Sequence, residues 1–300
     1  MTEFEQLFGN EDACAEYLVA ARWPDGFVCP GCRGSKAWRL ESKPWTYECA
    51  RCGRQTSVTA GTIMHHSKVL LTAWFWAAYV MATQPNGISA LQLQRELSLG
   101  SYKTAWLLCT KLRRAMASPG RNPLSGLVEV DKTEITWRSK NGHATSGGAS
   151  DDRKTLIVGA VEIQDLRLGR IRLSTMPDDS AATLNAFVVS NLAPDASGQT
   201  GGLVALSGGP DTNRGPPAVG ETGTDKVHHR VHRIFADLTV WGLSVYHGLR
   251  RTHLQSYLDE FAFRFNRRRD RQAAFTSLLR FAAAHQPVTY DMLVQIGAKA

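Results

Sequence analysis

Four cysteines constrain this chain more than any other feature: Cys29 and Cys32, then a spacer of about sixteen residues, then Cys49 and Cys52. Two Cys-x-x-Cys pairs at that separation can bring four thiolates to one ion about 2.3 Å away, and four sulfur ligands close a zinc shell. The site is therefore expected to bind Zn²⁺ structurally, not catalytically. Each pair lies in a tight turn, Val28-Cys29-Pro30-Gly31-Cys32 and Cys49-Ala50-Arg51-Cys52-Gly53, with glycines to let the backbone curl. Between them Ala37-Trp38-Arg39-Leu40 and Trp45-Thr46-Tyr47-Glu48 alternate as two short strands. The expectation is a zinc ribbon over residues 28–60. Two disulfides are the competing reading. The sequence shows no signal-peptide pattern, and Cys14 and Cys109 stand alone, so the chain reads as cytoplasmic and the metal reading is preferred.

Composition points to a polyanion as partner. The 300 residues carry a formal charge of +8, with a pI near 9.3. Lys and Arg in excess neutralise phosphates and release condensed counterions. The most apolar run, residues 70–82, is too short to span a bilayer and fits a buried helix, so no membrane role is expected.

Along the chain, residues 1–27 hold a short helix opened by Glu11-Asp12 and closed near Ala21. After the ribbon a helix is expected over 68–83, ended by Pro85-Asn86-Gly87. Residues 89–96, a turn at 97–100 and residues 101–117 then read as helix, turn, helix, with Ser89 and Ser101 as N-caps. Leu91, Leu93, Leu97, Trp106, Leu107 and Leu112 supply the apolar face, and Lys111, Arg113 and Arg114 are charges suited to phosphate. Residues 61–118 are thus a helix-turn-helix-like candidate for DNA binding, against the plainer reading of a helical hairpin with a solvated basic end.

Beyond the linker at 118–123 the pattern changes. Residues 127–131, 155–163 and 170–175 read as strands, 178–191 as a helix capped by Asp178 or Asp179, and 202–206 as a further short strand. This order describes the first half of a ribonuclease H-like domain, and the fold class expected is α+β multidomain. Residues 138–153 read as an exposed polar loop, and residues 207–225, rich in Gly, Pro and Thr, as a degenerate loop. Helical periodicity returns from Val231, and residues 253–268 form the clearest amphipathic helix, with Leu254, Tyr257, Leu258, Phe261 and Phe265 on one side and a basic end.

Five runs in order resemble one family, the bacterial insertion-sequence transposases that join a zinc ribbon to a DDE-type catalytic domain. They are residues 27–32, 88–97, 100–106, 128–131 (Val-Glu-Val-Asp) and 253–268 (His-Leu-Gln-Ser-Tyr-Leu-Asp-Glu-Phe-Ala-Phe-Arg-Phe-Asn-Arg-Arg). The resemblance implies a ribonuclease H-like catalytic domain over 126–282, a tail over 283–300, and Mg²⁺-dependent cutting and joining of DNA ends. It also implies double-stranded DNA, both element ends and target, as partner, and a homo-oligomer on that DNA. Lys103, Lys111, Arg113, Arg114, Arg264, Arg267 and Arg268 are the candidate DNA contacts.

Two-metal phosphoryl transfer needs carboxylates, because Mg²⁺ is hard and prefers oxygen. Asp131, ending an apolar strand where a carboxylate has no packing purpose, matches the family's first catalytic aspartate. The second departs from the pattern: Ser207 stands where the aspartate belongs, and Asp211, four residues later, is the alternative. Spacing puts the third position at His232 and leaves Thr239 in place of a lysine two turns on; Asp237 is an alternative ligand. His232 and Asp237, five apart, are about 140° round a helix and cannot face one metal together. Lys132 would sit beside the aspartate, and Thr136-Trp137 replaces an expected Gly-Gly. The leading reading is a transposase, the second a catalytically inactive derivative that only binds DNA, and the third a zinc-ribbon transcription factor.

Overall fold

The computed structural model describes residues 3–117, 122–136, 154–164, 167–200 and 229–295. The expected loop at 138–153, the strand at 202–206, the loop at 207–225, Ser207 and Asp211 lie outside them. The chain divides into two units, Met1–Ser118 with Arg269–Leu293, and Pro119–Arg268 with Val294–Ala300.

The first unit opens with α1 (Glu3–Phe8) and α2 (Glu11–Arg22), the latter N-capped by Asn10. The ribbon follows as a three-stranded antiparallel sheet, β1 (Ala37–Arg39), β2 (Thr46–Cys49) and β3 (Gln55–Ser57), in the order β1-β2-β3. Then come α3 (Leu71–Thr83), α4 (Ala90–Glu96) and α5 (Tyr102–Met116). Helix α3 starts three residues later than the expected start at 68, because its N-terminus is capped from α2. The Glu11 carboxylate accepts from the amides of Leu71 (2.9 Å) and Thr72 (2.7 Å) and from the Thr72 hydroxyl (2.7 Å). An anion at that end satisfies orphan amides and meets the positive end of the helix dipole.

The hairpin of α4 and α5 lies where the sequence places it. Ser89 and Gln92 close a capping box, Ser98 takes the left-handed turn conformation (φ 50°), and Ser101 caps α5. Its apolar face is shifted from the expected one: Leu93, Leu108 and Leu112 are buried, whereas Leu91 is exposed.

Two helices of the C-terminal part complete this unit, α9 (Arg271–Ala284) and α10 (Tyr290–Gln295, through Leu293). Residues 269–293 thus cluster with the first unit, whereas the expected division ran from 126 to 282 with a tail after it. The reason is aromatic packing: Phe275 of α9 meets Phe4, Phe8 and Tyr79, with ring centroids 6.0, 5.7 and 5.4 Å away. Tyr290 lies edge-on to Trp106.

The second unit is a four-stranded sheet: β4 (Leu127–Thr136), β5 (Lys154–Gln164), β6 (Arg167–Thr175) and β7 (Ser197–Thr200), in the order β6-β5-β4-β7. The first three are antiparallel neighbours; β7 runs parallel to β4. Helix α6 (Ala181–Asn191) supplies the crossover. Its cap is Ser180, not the expected Asp178 or Asp179. Asp178 supports the cap by accepting from the Ser180 amide and the Thr183 hydroxyl, and Asp179 pairs with Lys132.

Strand alternation divides β4 between two cores. Val128 and Val130 join Val158, Ala160, Phe187 and Val188 on the α6 face. Ile135 joins Ile157, Val161, Ile171 and Leu173 on the other face, covered by α7 (His229–Tyr246) and α8 (Leu254–Asn266) through Ile234, Phe235, Leu238, Leu258 and Phe261. The sheet thus has helices on both faces.

Strand β6 is an edge, and α8 seals it with side chains. Asn266 accepts from the Ile171 amide (2.7 Å) and donates to its carbonyl (3.1 Å), completing a strand-like pairing. Gln255 accepts from the Thr175 amide (2.9 Å) and donates to the Leu173 carbonyl (3.3 Å). An edge occupied in this way is closed to pairing with another chain.

Candidate metal centre and catalytic strand

In the ribbon the four cysteine sulfurs lie within 4.8 Å of one another, with Cys29 to Cys52 at 3.6 Å and Cys32 to Cys49 at 3.5 Å. Each knuckle is a repeated turn: Arg33 N–H donates to Cys29 C=O at 3.0 Å, and Gly53 N–H to Cys49 C=O at 2.9 Å. The left-handed residue sits just after the second cysteine in both, Arg33 (φ 61°) and Gly53 (φ 67°). In the first knuckle the curl therefore rests on Arg33, not on Gly31. Gly31 serves space instead: a Cβ there would meet the Arg54 side chain at 3.1 Å.

Amide donors, first that of Cys32, hold the Cys29 thiol down to about 6, and those of Cys52 and Arg51 lower Cys49. At Cys52 the Arg54 amide favours the thiolate, but the neighbouring sulfurs push it up to about 12. Four such groups cannot all ionise at this spacing without a cation. The donor set fits Zn²⁺, which removes their protons and compensates their charge. All six cysteines are free thiols, so disulfides are absent.

In the second unit, Glu129, Asp131 and Ile135 share the β4 face under α7. Glu129 is fully buried; its carboxylate accepts from the Val231 amide at 3.3 Å and from Arg230 at 3.0 Å. It thereby fixes the N-terminal end of α7 to the strand. One turn in, His232 Nε2 lies 3.2 Å from Asp131 Oδ2, while Asp131 Oδ1 accepts from the Lys132 amide at 2.7 Å. Asp131 is 17% exposed and His232 58% exposed, so the pair opens to solvent.

Gly159, opposite Asp131 in β5, is what allows this approach. A Cβ there would fall 2.7 Å from the Phe235 ring, and Phe235 lies one helical turn from His232. Lys132 points to the other face, where its ammonium pairs with Asp179 and not with Asp131.

Asp237 is exposed on the opposite flank of α7, about 140° round from His232, and is not brought to Asp131. Thr239 lies two turns beyond His232 on its own flank, its hydroxyl donating to the Phe235 carbonyl at 2.9 Å. Among the described residues, the only group of three or more His, Cys, Asp and Glu able to hold a metal is the four cysteines. Asp131 and His232 alone offer two donors, fewer than a two-metal site requires.

The basic residues separate by burial. Arg113 is 3% exposed, which removes it from phosphate contact; tertiary packing, not helix position, decides this. Lys111 is half-buried and Arg114 partly buried, whereas Lys103 is exposed at the start of α5, its ammonium 4.1 Å from the Tyr290 ring. In the second unit Arg264 is largely buried against Glu260 and Trp241. Arg267 stacks on Phe263, and Arg268 donates to the carbonyls of Leu168, Gly169 and Phe265. These three hold α8 to its surroundings.

The transposase zinc-ribbon domain matches residues 9–55, and the ISXO2-like transposase domain matches residues 123–266. An uncharacterized protein in transposable element ISH50 of Halobacterium salinarum is 33% identical over 151 residues, 48% of this chain and 50% of that protein. The chain thus spans about half the length of the curated relative it matches. No solved structure matches. No helix among the described residues is long and apolar enough to cross a membrane. The chain thus carries a match to a transposase zinc-ribbon domain followed by a match to an ISXO2-like transposase domain.

Proposed function

We propose that the protein binds duplex DNA, element ends and target, as a transposase-like protein of the cytoplasm whose second unit is a ribonuclease H-like domain. The strand order β6-β5-β4-β7, antiparallel except for the last pair and covered by helices on both faces, supports that fold. The observation that carries the functional reading is the carboxylate of Asp131, set on the central strand and faced by His232. Asp131, joined by a further carboxylate, would hold a hard divalent ion such as Mg²⁺, which would supply charge stabilisation to phosphoryl transfer, with His232 beside it. The chain's own part is to fix the two donors: Glu129 anchors the first turn of α7, and Gly159 admits Phe235. A second carboxylate is the missing element, with Asp211 as its candidate.

The second reading, a derivative that binds DNA without strand transfer, is favoured by Ser207 at the family's second-aspartate position and Thr239 at its lysine. We adopt it for the chemistry: strand transfer is absent or very weak. Losing one bridging carboxylate removes several kcal/mol of transition-state stabilisation, at about 1.4 kcal/mol for each factor of ten in rate. Binding to duplexes carrying the element's own ends, followed in the same samples by Mg²⁺-dependent nicking, tests both parts. Loss of binding at every salt concentration removes the DNA-binding role; nicking that Asp131→Ala abolishes removes the inactive reading. A homo-oligomer on DNA is part of the proposal and is checked by the mass of the bound complex.

A further inference from the structure

We propose that the knuckle end of the ribbon is a surface for the DNA backbone, formed by Arg33, Lys36, Arg51 and Arg54 around the four-cysteine centre, an inference resting on the DNA-binding reading above. The two turns that hold the sulfurs carry four cations and no acid. Residues 29–36 contribute Arg33 and Lys36, and residues 49–54 contribute Arg51 and Arg54. All four are exposed.

The backbone fixes the two pairs beside each other although they are apart in sequence. The Ala50 amide, next to Arg51, donates to the Lys36 carbonyl at 2.9 Å. Each turn is also closed on itself: the Cys29 amide donates to the Gly34 carbonyl at 2.9 Å, and the Cys49 amide to the Arg54 carbonyl at 3.0 Å. The second turn's arginines lie against the first turn. A Cβ on Gly31 would stand 3.1 Å from Arg54 Cδ and 3.3 Å from its Nη1, and one on Gly34 would stand 3.4 Å from Arg51 Cβ. Arg33 sits between those two glycines, so the lack of side chains there is what lets three arginines share one end of the ribbon.

Such a cluster serves either to offset the metal centre or to meet an outside anion, and charge decides between them. Zn²⁺ with four thiolates carries about −2, so four cations leave an excess of about two positive charges. Among the described residues, no ion pair or hydrogen bond engages any of the four side chains. Other cations of this unit are occupied: Arg39 stacks on Trp45 at 3.7 Å, Lys43 donates to Gln55 at 2.7 Å, and Arg22 donates to the carbonyls of Ser57 and Ala60. The acid next to the second turn, Glu48, accepts from Gln55 at 2.8 Å. Exposed guanidinium groups on a rigid turn suit phosphate, whose oxygens match the planar fork. Backbone contacts of this kind add affinity without reading sequence. The surface exists only while the sulfurs hold the turns together, which couples DNA affinity to zinc.

The test titrates the zinc-loaded full chain into labelled duplex DNA across a salt series, followed by anisotropy. Wild type is compared with Arg33→Gln/Lys36→Gln, Arg51→Gln/Arg54→Gln and Lys43→Gln. Each double variant should lower the slope of log affinity against log salt by about 2 and weaken binding about tenfold or more, equally on element-end and unrelated duplexes. Lys43→Gln should change little. Unchanged affinity and slope in both double variants, or an equal loss per charge in Lys43→Gln, overturns the surface while wild-type binding keeps the DNA-binding reading. Reductive methylation of the wild type, read by mass spectrometry, decides the matter if the variants lose zinc. Bound DNA should shield Lys36 and leave Lys43 reactive; equal reactivity of Lys36 with and without DNA overturns the surface. Failure of the wild type to bind any duplex removes the DNA-binding reading and this surface with it.

Discussion

Replacing Gly159 with alanine tests how α7 is seated on β4 beside Asp131. The added Cβ would lie 2.7 and 2.9 Å from two carbons of the Phe235 ring and 3.1 Å from Leu173 Cδ2. Both neighbours are buried in the core shared by α7, α8 and the sheet, so neither ring nor methyl can retreat without moving others. Overpacking of this kind costs about 1–3 kcal/mol. Against it stands the reduced freedom of the unfolded chain when glycine becomes alanine, about 0.4–1 kcal/mol. The overpacking wins, leaving a net loss of about 1–2 kcal/mol. At about 2–4 °C per kcal/mol for a domain of this size, the second unit should melt about 2–8 °C lower. Thermal denaturation followed by circular dichroism measures it. Phe235→Leu should partly relieve the clash, so the double variant should be more stable than the two single losses predict. A Gly159→Ala protein as stable as wild type, with strictly additive effects of Phe235→Leu, would refute the close seating of α7 at Asp131.

Four further outcomes follow from contacts elsewhere in the structure. Chelation, or Cys49→Ser, should release about one zinc and unfold the ribbon, because metal binding there is folding energy; a metal-free ribbon with unchanged spectra would contradict this. The Cys29 pKa is depressed, so its contribution is present above the ordinary thiol range and lost as pH falls through about 6; zinc retention should decline there, read by dialysis across that window. Glu11→Ala should cost about 1–2 kcal/mol by uncapping α3, with Glu11→Gln losing less since an acceptor remains, as urea denaturation would show. Glu129→Ala should loosen the first turn of α7 and raise hydrogen exchange at Val231 and His232 far more than at the C-terminal end of the helix; uniform protection would exclude the anchoring role.

What the sequence made legible depended on how local the deciding interaction was. The ribbon could be read because four thiols at fixed spacing admit few folds, yet β3 escaped notice, since Gln55-Thr56-Ser57 has no apolar alternation and is a strand only through pairing with β2. Helix α1 was equally hidden: six residues cannot signal a helix, and Phe4 and Phe8 are held by Trp76, Tyr79 and Phe275, distant in the chain. Asp131 stood out as a carboxylate ending an apolar strand. Glu129, two residues earlier on the same face, did not, because its partners Arg230 and Val231 lie about a hundred residues away. Arg113 looked like a phosphate contact because helical periodicity assigns faces but not which face the tertiary structure covers.

The most direct test of this account is strand transfer by the unmodified protein on duplexes carrying its element ends, measured with Mg²⁺ on complexes already shown to be bound. Salt-sensitive binding is expected, with transfer absent or slower by orders of magnitude than a complete carboxylate set would give. Vigorous Mg²⁺-dependent transfer, abolished by Asp131→Ala, would contradict it and direct the search for the second carboxylate to Asp211.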